Sequence, residues 1–391
     1  MTTVKLYDGD SHLSEFTATV ISCEKCGGGF SVVLDRTAFF PEGGGQYGDR
    51  GRLNGAAVLD TQLSDGTVRH ITDRPFDVGD TVSGSLDFKR RFAFMQNHSG
   101  EHIVSGIIHS LYGLDNVGFH LAEDFVTLDF NGILDREQLD RVENLANEKV
   151  WQNLGVRAYY PSADELRNLE YRSKKALSGD VRIVEIDDTD ICACCAPHVS
   201  KTGEIGIIKL LDTEKMRGGT RILMKCGAFA LADYRDKYLN IHSISARLSA
   251  KQENAAMAVE QLEEKLSAAK AETAVLKRRM SAQIINSFDG DRIFLIADGL
   301  ERDELRIVAD GLYRTYGGVR AVFSPAQNGF AFAICGEEEK LSVLFSTFKN
   351  KLSVRGGGRG GIVQGSVSAG REEISNFFDS IEREINGLDR N

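Results

Sequence analysis

Two pairs of side chains carry the clearest chemistry in this sequence. His98 and His102 stand four residues apart in the run from Met95 to His102, which reads MQNHSGEH. Cys194 and His198 repeat that spacing in Cys192-Ala193-Cys194-Cys195-Ala196-Pro197-His198. On a helix, a separation of four places two imidazoles on one face, one turn apart. Alone, such a pair serves as half of a metal site or as two ordinary polar residues. Three imidazoles and a thiolate together make a nitrogen–sulfur set suited to tetrahedral zinc. His109 falls on the histidine face too, but about 10.5 Å along the axis at ~1.5 Å per residue, too far to join the same ion.

The elements that must position these groups can be read around them. Ile103, Val104, Ile107, Ile108 and Leu111 gather opposite the histidines, which predicts a helix with one face in a core and the other presenting imidazoles. Ahead of it lie β-type runs at 4–7, 17–22, 30–34, 57–59, 68–71 and 82–86, split by Gly, Asn and Asp turns. That density of turns predicts a small β-barrel or sandwich over residues 1–88. Cys23-x-x-Cys26 within it reads as two thiols in a strand-to-turn segment, with a metal-binding or redox pair as the alternative. The run Phe39-Phe40-Pro41-Glu42-Gly43-Gly44-Gly45-Gln46 carries three consecutive glycines, which cost backbone entropy. It is either a loop whose amides approach a substrate or a wide hairpin loop.

Residues 89–238 form a second region. It holds Lys89, Arg90 and Arg91, the histidine helix, a strand around 125–129 and an amphipathic helix near 135–153. Positive residues recur at Arg172, Lys174, Lys175, Lys201, Lys209, Lys215, Arg217, Arg221 and Lys225. Such scatter usually marks a solvated face; its closeness in sequence to the His/Cys set suggests a phosphate-bearing substrate. Over residues 239–287, Leu248, Gln252, Ala255, Val259, Leu262, Leu266, Ala269, Thr273, Leu276 and Met280 alternate spacings of four and three. That heptad seam predicts a coiled-coil stalk, pairing between chains or folding back on its own. Residues 288–391 read as an α/β unit: a strand at 293–297, a helix at 302–316, strands at 319–323 and 330–335, and helices at 338–351 and 371–388. Between the last two helices, Arg355-Gly356-Gly357-Gly358-Arg359-Gly360-Gly361 is expected to form an anion-cradling nest. The fold class is therefore α+β.

Composition bounds the rest. A chain of 391 residues accommodates two or three domains, and 42% hydrophobic with 27% charged residues is ordinary for a soluble protein. A net charge of −10 argues against a general nucleic-acid coat, leaving local basic patches for any such contact. Seven cysteines, three of them crowded together, do not make a disulfide framework and suit a reducing compartment. The N-terminal residues lack a basic segment followed by an apolar one, and no apolar run spans a bilayer. A cytoplasmic protein without membrane contact is expected.

Taken together, the motifs resemble a known family. His98-x3-His102 followed by Cys194-x3-His198, Thr202-Gly203-Glu204-Ile205-Gly206, Arg217-Gly218-Gly219-Thr220-Arg221 and Cys226-Gly227 is similar to the editing domain of alanyl-tRNA synthetase. The PEGGGQ-x-GD-x-G run from Pro41 to Gly51 resembles that family's glycine-rich motif, and the final unit its DHH-associated C-terminal domain. No aminoacylation domain is expected ahead of the barrel, so the whole resembles a freestanding alanyl-tRNA editing protein of the long AlaX type. The resemblance implies zinc on His98, His102, Cys194 and His198, and deacylation of tRNA(Ala) mischarged with serine, with glycine a further candidate. It makes Thr37 the candidate reader of the serine hydroxyl, with Gln46 beside the glycine loop as a second. It implies substrate or tRNA contacts at Gly43, Gly44, Gly45, Arg217, Arg221 and Arg359, and a homodimer through the stalk is a candidate assembly. One departure stands out. The synthetases carry Cys-Gly-Gly-Thr-His where this chain has Cys194-Cys195-Ala196-Pro197-His198, which leaves Cys192 and Cys195 as alternatives to Cys194. Glu101 is a candidate general base that the resemblance does not mark. Two rival readings remain. One is an H-x-x-E-H metalloprotease with Glu101 as base and a downstream glutamate ligand. The other is a non-catalytic tRNA-binding protein with structural zinc.

Overall fold

Apolar and polar positions alternate through the first ninety residues, the pattern of strands with one buried face. The computed structural model, which describes residues 3–173 and 181–388, pairs Val4–Lys5 with Arg36–Thr37 and folds the rest of this region into six longer strands. These are β1 (Glu15–Cys26), β2 (Gly29–Leu34), β3 (Gly51–Leu53), β4 (Ala56–Ser64), β5 (Thr67–Thr72) and β6 (Thr81–Leu86). All pairings are antiparallel, in the order β1-β2-β5-β4-β3-β6, and β6 returns to β1, so the sheet closes into a ring. Val20, Val32, Leu34, Phe39, Leu53 and Val82 fill its core. The strand expected at 4–7 is corrected: Val4–Lys5 alone is extended, and Leu6–Gly9 is a helical turn. That turn buries Tyr7 edge-on against Phe40, with ring centroids 5.5 Å apart.

The histidines lie on α1 (Phe88–Tyr112). Asp87 starts it by accepting the Arg90 amide, and Gly113, in the left-handed region at φ 64°, ends it with its amide on the His109 carbonyl. The expectation of one buried and one open face is corrected, because every residue from Ala93 to Ile108 is buried. Leu111, expected in the core, is exposed. The helix is enclosed because structure covers it on several sides. Ile103, Val104, Ile107 and Ile108 pack with Leu121, Val126, Leu128, Ile222 and Met224 of a sheet. Elsewhere Cys226 approaches so closely that a Cβ on Gly100 would sit 2.4 Å from its sulfur.

That sheet comprises β7 (Asn116–Leu121) and β8 (Val126–Phe130) with two later strands. Between them in sequence come α2 (Arg136–Trp151), begun by a capping box of Asp135 and Gln138, and the strands β9 (Val156–Tyr159), β10 (Ile183–Ile186) and β11 (Asp190–Ala193). The chain then continues into β12 (Ile208–Met216) and β13 (Gly219–Cys226). The orders are β12-β13-β8-β7 in one sheet and β9-β10-β11 in the other.

The chain divides into two compact units, Met1–Ser243 and Ile244–Asn391. Helix α3 (Gly227–Leu248) crosses the boundary, its residues from Ile244 on belonging to the second unit, and α4 (Ala255–Asn286) follows. The unbroken helix expected through the heptads is corrected. Ser249 turns into the left-handed region at φ 51° and Lys251 is extended, so Leu248 and Gln252 fall outside α4. Val259, Leu262, Leu266, Leu276 and Met280 are exposed along α4. The rest of this unit is β14 (Phe294–Ile296), α5 (Arg302–Tyr316), β15 (Arg320–Ala326), β16 (Gly329–Cys335), α6 (Glu338–Lys351), β17 (Val354–Gly357), β18 (Ile362–Val367) and α7 (Arg371–Leu388). Its sheet runs β14-β15-β16-β18-β17. Phe323, Phe332, Phe348 and Phe378 pack on one face, and Leu305, Val308 and Leu312 on the other. The nest expected at 355–361 is corrected to a hairpin: Arg355, Gly356 and Gly357 belong to edge strand β17, and only Gly358 to Gly361 make the turn. The glycines permit close pairing there, since a Cβ on Gly356 would lie 2.3 Å from the Gln364 carbonyl oxygen.

Candidate metal centre

Helix α1 holds His98 and His102 one turn apart, and the loop after β11 brings Cys194 and His198 to them. Pro197 keeps that loop from becoming helical, so the second pair reaches the same spacing along irregular backbone. One ligand atom from each of the four residues lies within 4.8 Å of the others. Cys194 Sγ is 3.5 Å from His98 Nε2 and 3.4 Å from His198 Nε2. The three histidines are buried and Cys194 is half-buried.

Each imidazole is fixed through its other nitrogen. His98 Nδ1 lies 3.0 Å from Gln46 Oε1, His102 Nδ1 lies 3.0 Å from Asp190 Oδ2, and His198 Nδ1 lies 3.1 Å from Ser99 Oγ. An Nδ1–H on a protein acceptor leaves Nε2 as the ligand atom, the arrangement that orients metal-binding histidines and raises their basicity. Asp190 is braced in turn by Arg172, whose Nε and Nη2 donate to its two oxygens at 2.7 and 2.8 Å. Burial would raise the Asp190 carboxyl, but His102 and Arg172 outweigh it and hold the group below the usual carboxylate range. A soft thiolate with three oriented imidazoles is a donor set for a borderline-soft dication, and the residues present fit one. A second grouping, His102, Asp190 and Cys192, uses His102 from its other side, where Asp190 already engages it.

The glycine motif abuts this cluster. Gly43 and Gln46 exchange both backbone hydrogen bonds at 3.0 Å, while Gly44 and Gly45 take φ values of 60° and 82°. The glycines thus serve a tight two-residue turn rather than a wide loop. A Cβ on Gly45 would lie 2.6 Å from the ring of Phe119, which packs on His98 at 4.6 Å between centroids. Gln46 is 1% exposed. Its Oε1 faces the His98 N–H, which fixes the amide's orientation, and its Nε2 has no hydrogen-bond partner among the described residues. A buried amide nitrogen left in that state is costly unless something else receives its protons.

Thr37 is fully buried, with its oxygen accepting the Phe39 amide at 3.0 Å and lying 2.8 Å from His70 Nε2. His70 Nδ1 faces the Val32 carbonyl at 3.0 Å and must donate to it. His70 Nε2 is therefore the acceptor, and the Thr37 hydroxyl proton goes to it. Burial pushes the His70 pKa down to about 4, in keeping with a neutral ring.

Among the expected basic residues, several are already paired. Arg172 holds Asp190, Lys209 meets Glu143, Arg221 meets Asp129 through Nε at 2.6 Å, and Lys225 meets Asp233. Arg217 is exposed in the β12–β13 turn and Arg359 in the β17–β18 turn. Lys174 and Lys175 lie outside the described residues. His109 pairs with Asp115, away from the cluster. Reading the sequence did not single out Asp190 or Ser99, because nothing in a lone acid or serine marks it as the orienting partner of a histidine.

Two segments match known family models. Residues 181–222 match the family described as threonyl and alanyl tRNA synthetase second additional domain, and residues 9–90 match class II (A) tRNA synthetases. The chain is also similar to alanyl-tRNA editing proteins. It is 34% identical over 238 residues to alanyl-tRNA editing protein AlaX-L of Pyrococcus horikoshii, covering 58% of this chain and 59% of that one. It is 34% identical to alanyl-tRNA editing protein Aarsd1 of Mus musculus, covering 53% and 54%. An alanine–tRNA ligase of Halorubrum lacusprofundi is 29% identical over 91% of this chain and 40% of its own length. The matched segments span little more than half the length of the two editing proteins.

Proposed function

We propose that the protein is a trans-editing hydrolase that deacylates tRNA(Ala) mischarged with serine, glycine being the second candidate amino acid. The observation that carries this reading is the convergence of His98, His102, Cys194 and His198 beside the buried Nε2 of Gln46, which has no partner among the described residues. The likeness to alanyl-tRNA editing proteins supports it. Zinc is the ion this donor set favours, and when bound it would polarise an ester carbonyl or lower the pKa of water. Gln46 Nε2 donates to a substrate oxygen at the seryl ester. Thr37, whose own proton is held by His70, offers an oxygen that can only accept, which suits the serine hydroxyl and finds no counterpart in alanine. Gly43, Gly44 and Gly45 shape the turn that presents Gln46 to the substrate.

The same reading assigns residues 1–88 to a barrel carrying the glycine motif and 89–238 to the editing domain. Within 239–287 it assigns the helix Ala255–Asn286 to a coiled-coil stalk that pairs two copies, and 288–391 to a DHH-associated domain that binds tRNA. Arg217, Arg221 and Arg359 are assigned to contacts with the nucleic acid, and the cytoplasm is the expected compartment. A non-catalytic tRNA-binding role is the second reading, favoured by one feature: four protein ligands complete a tetrahedral zinc site and leave no open position. The metalloprotease reading needs a glutamate ligand where this cluster supplies Cys194 and His198.

The test is hydrolysis of Ser-tRNA(Ala) and Ala-tRNA(Ala) by the wild type and by Cys194→Ala, with bound zinc assayed in both. Serine release with alanine spared, lost together with zinc in the variant, is the expected result. Binding of tRNA without release of either amino acid would replace it with the non-catalytic reading.

A further inference from the structure

The two halves of the candidate centre rest on different kinds of backbone. His98 and His102 ride on α1, whose own hydrogen bonds keep residues four apart in register. Residues 194–198 are irregular, and Pro197 has no N–H to give such a ladder. Cys194 and His198 reach the same spacing without it, so their loop must be held from outside.

Arg182, immediately ahead of β10, supplies that hold at the thiol end. Its Nη1 donates to the carbonyls of Cys194 at 3.1 Å and of Ala196 at 2.8 Å. Its own backbone carbonyl accepts the Cys194 amide at 3.0 Å. One residue therefore grips the loop at three backbone atoms, two of them on the residue that bears the thiol. Ala196 is fully buried, so its carbonyl has to find a donor inside the protein. The histidine end is held separately. Ser11 Oγ donates to the His198 carbonyl at 2.7 Å, and the Val199 amide donates to Ser99 Oγ at 3.2 Å.

The arginine has little else to explain its burial. It is 6% exposed, its ion pair with Asp8 is long at 3.5 Å, and its Nε has no hydrogen-bond partner among the described residues. A guanidinium withdrawn from water is costly unless its donors are used. Among the described residues, both hydrogen bonds of this side chain go to the loop that carries Cys194 and His198.

We infer that Arg182 is the positioning residue of the second ligand pair: its grip on the loop holds the Cys194 thiolate where the imidazoles of α1 can share an ion with it. The inference rests on the metal-centre reading and is independent of the reaction carried out there.

The experiment loads the full chain with Zn2+ or with Co2+, a spectroscopic substitute, in wild type, Arg182→Ala and Arg182→Lys. It reads the affinity for each ion against a chromophoric chelator, the sulfur-to-cobalt charge-transfer band at saturation, and urea unfolding of the metal-free protein. In Arg182→Ala, affinity should fall about 10- to 100-fold, the usual cost of removing a group behind the ligands. The charge-transfer band should weaken as well, because the thiolate is the ligand whose backbone has been released. Arg182→Lys keeps a charge and a donor and should fall between the other two. Wild-type affinity with a full band in Arg182→Ala overturns the inference; if that variant does not fold, the same result in Arg182→Lys overturns it. An affinity loss no larger than the loss of folded protein seen without metal overturns it in favour of a packing role. A wild type that binds neither ion overturns it together with the metal-centre reading. Serine release is not among the readouts, so failure of the deacylase reading leaves the inference standing.

Discussion

At the scale of single residues, the centre depends on what lies behind the ligands as much as on the ligands. Asp190 orients His102 and is itself held by Arg172. Asp190→Asn keeps the shape but weakens the acceptor, so zinc affinity should fall about 10- to 100-fold. A competition titration against a chromophoric chelator reads this directly, and an unchanged affinity would remove Asp190 from the account. His70 gives a second expectation. Its pKa falls from 6.5 in the unfolded chain to about 4 in the fold, so the unfolded state binds the extra proton first as pH drops. Stability contributed by the neutral ring is complete above pH 6.5 and is lost as pH falls toward and through 4. The loss amounts to about 3 kcal/mol, at roughly 1.4 kcal/mol per unit. Urea unfolding across that window should show the slope in the wild type and a flatter one in His70→Gln; identical slopes would contradict it.

At the scale of elements, the glycine motif and the histidine helix are locked together by one buried ion pair. Arg91 is fully buried and donates to Asp49 and to the carbonyls of Ser11 and Ala38; Asp49 in turn accepts the Phe40 amide. Asp49→Ala strands the guanidinium, and breaking a buried pair from one side costs about 3–5 kcal/mol. Chemical denaturation should show that loss; a change within the range of ordinary surface substitutions would mean Arg91 finds other compensation. The helices were legible because their apolar spacing and caps are local signals. The β17–β18 hairpin was not, since a glycine-rich run reads as a loop until a partner strand supplies the hydrogen bonds. The break after Leu248 was hidden too, because Ser249 carries no mark of a helix stop. The ligand quartet could be read from spacing and type, whereas Asp190, Ser99 and the Gln46–His98 bond depend on which strands and loops tertiary folding brings beside α1.

At the scale of the molecule, all four candidate ligands belong to the unit Met1–Ser243 and none to Ile244–Asn391. A ligand that binds only the folded form stabilises the part that binds it. Calorimetry of the full chain should therefore resolve two transitions, and stripping the metal with a chelator should lower one and leave the other in place. A shift of both together would mean the two units unfold as one.

The bond between Gln46 and His98 has a thermodynamic consequence. One amide group offers its oxygen to an imidazole of the candidate metal cluster and its nitrogen to the proposed substrate. Two binding events that share a side chain are linked, and linkage is reciprocal: whatever the substrate does for the affinity of the ion, the ion does for the substrate by the same factor. In this protein, recognition of the wrong amino acid and retention of the metal would be two faces of one coupling free energy.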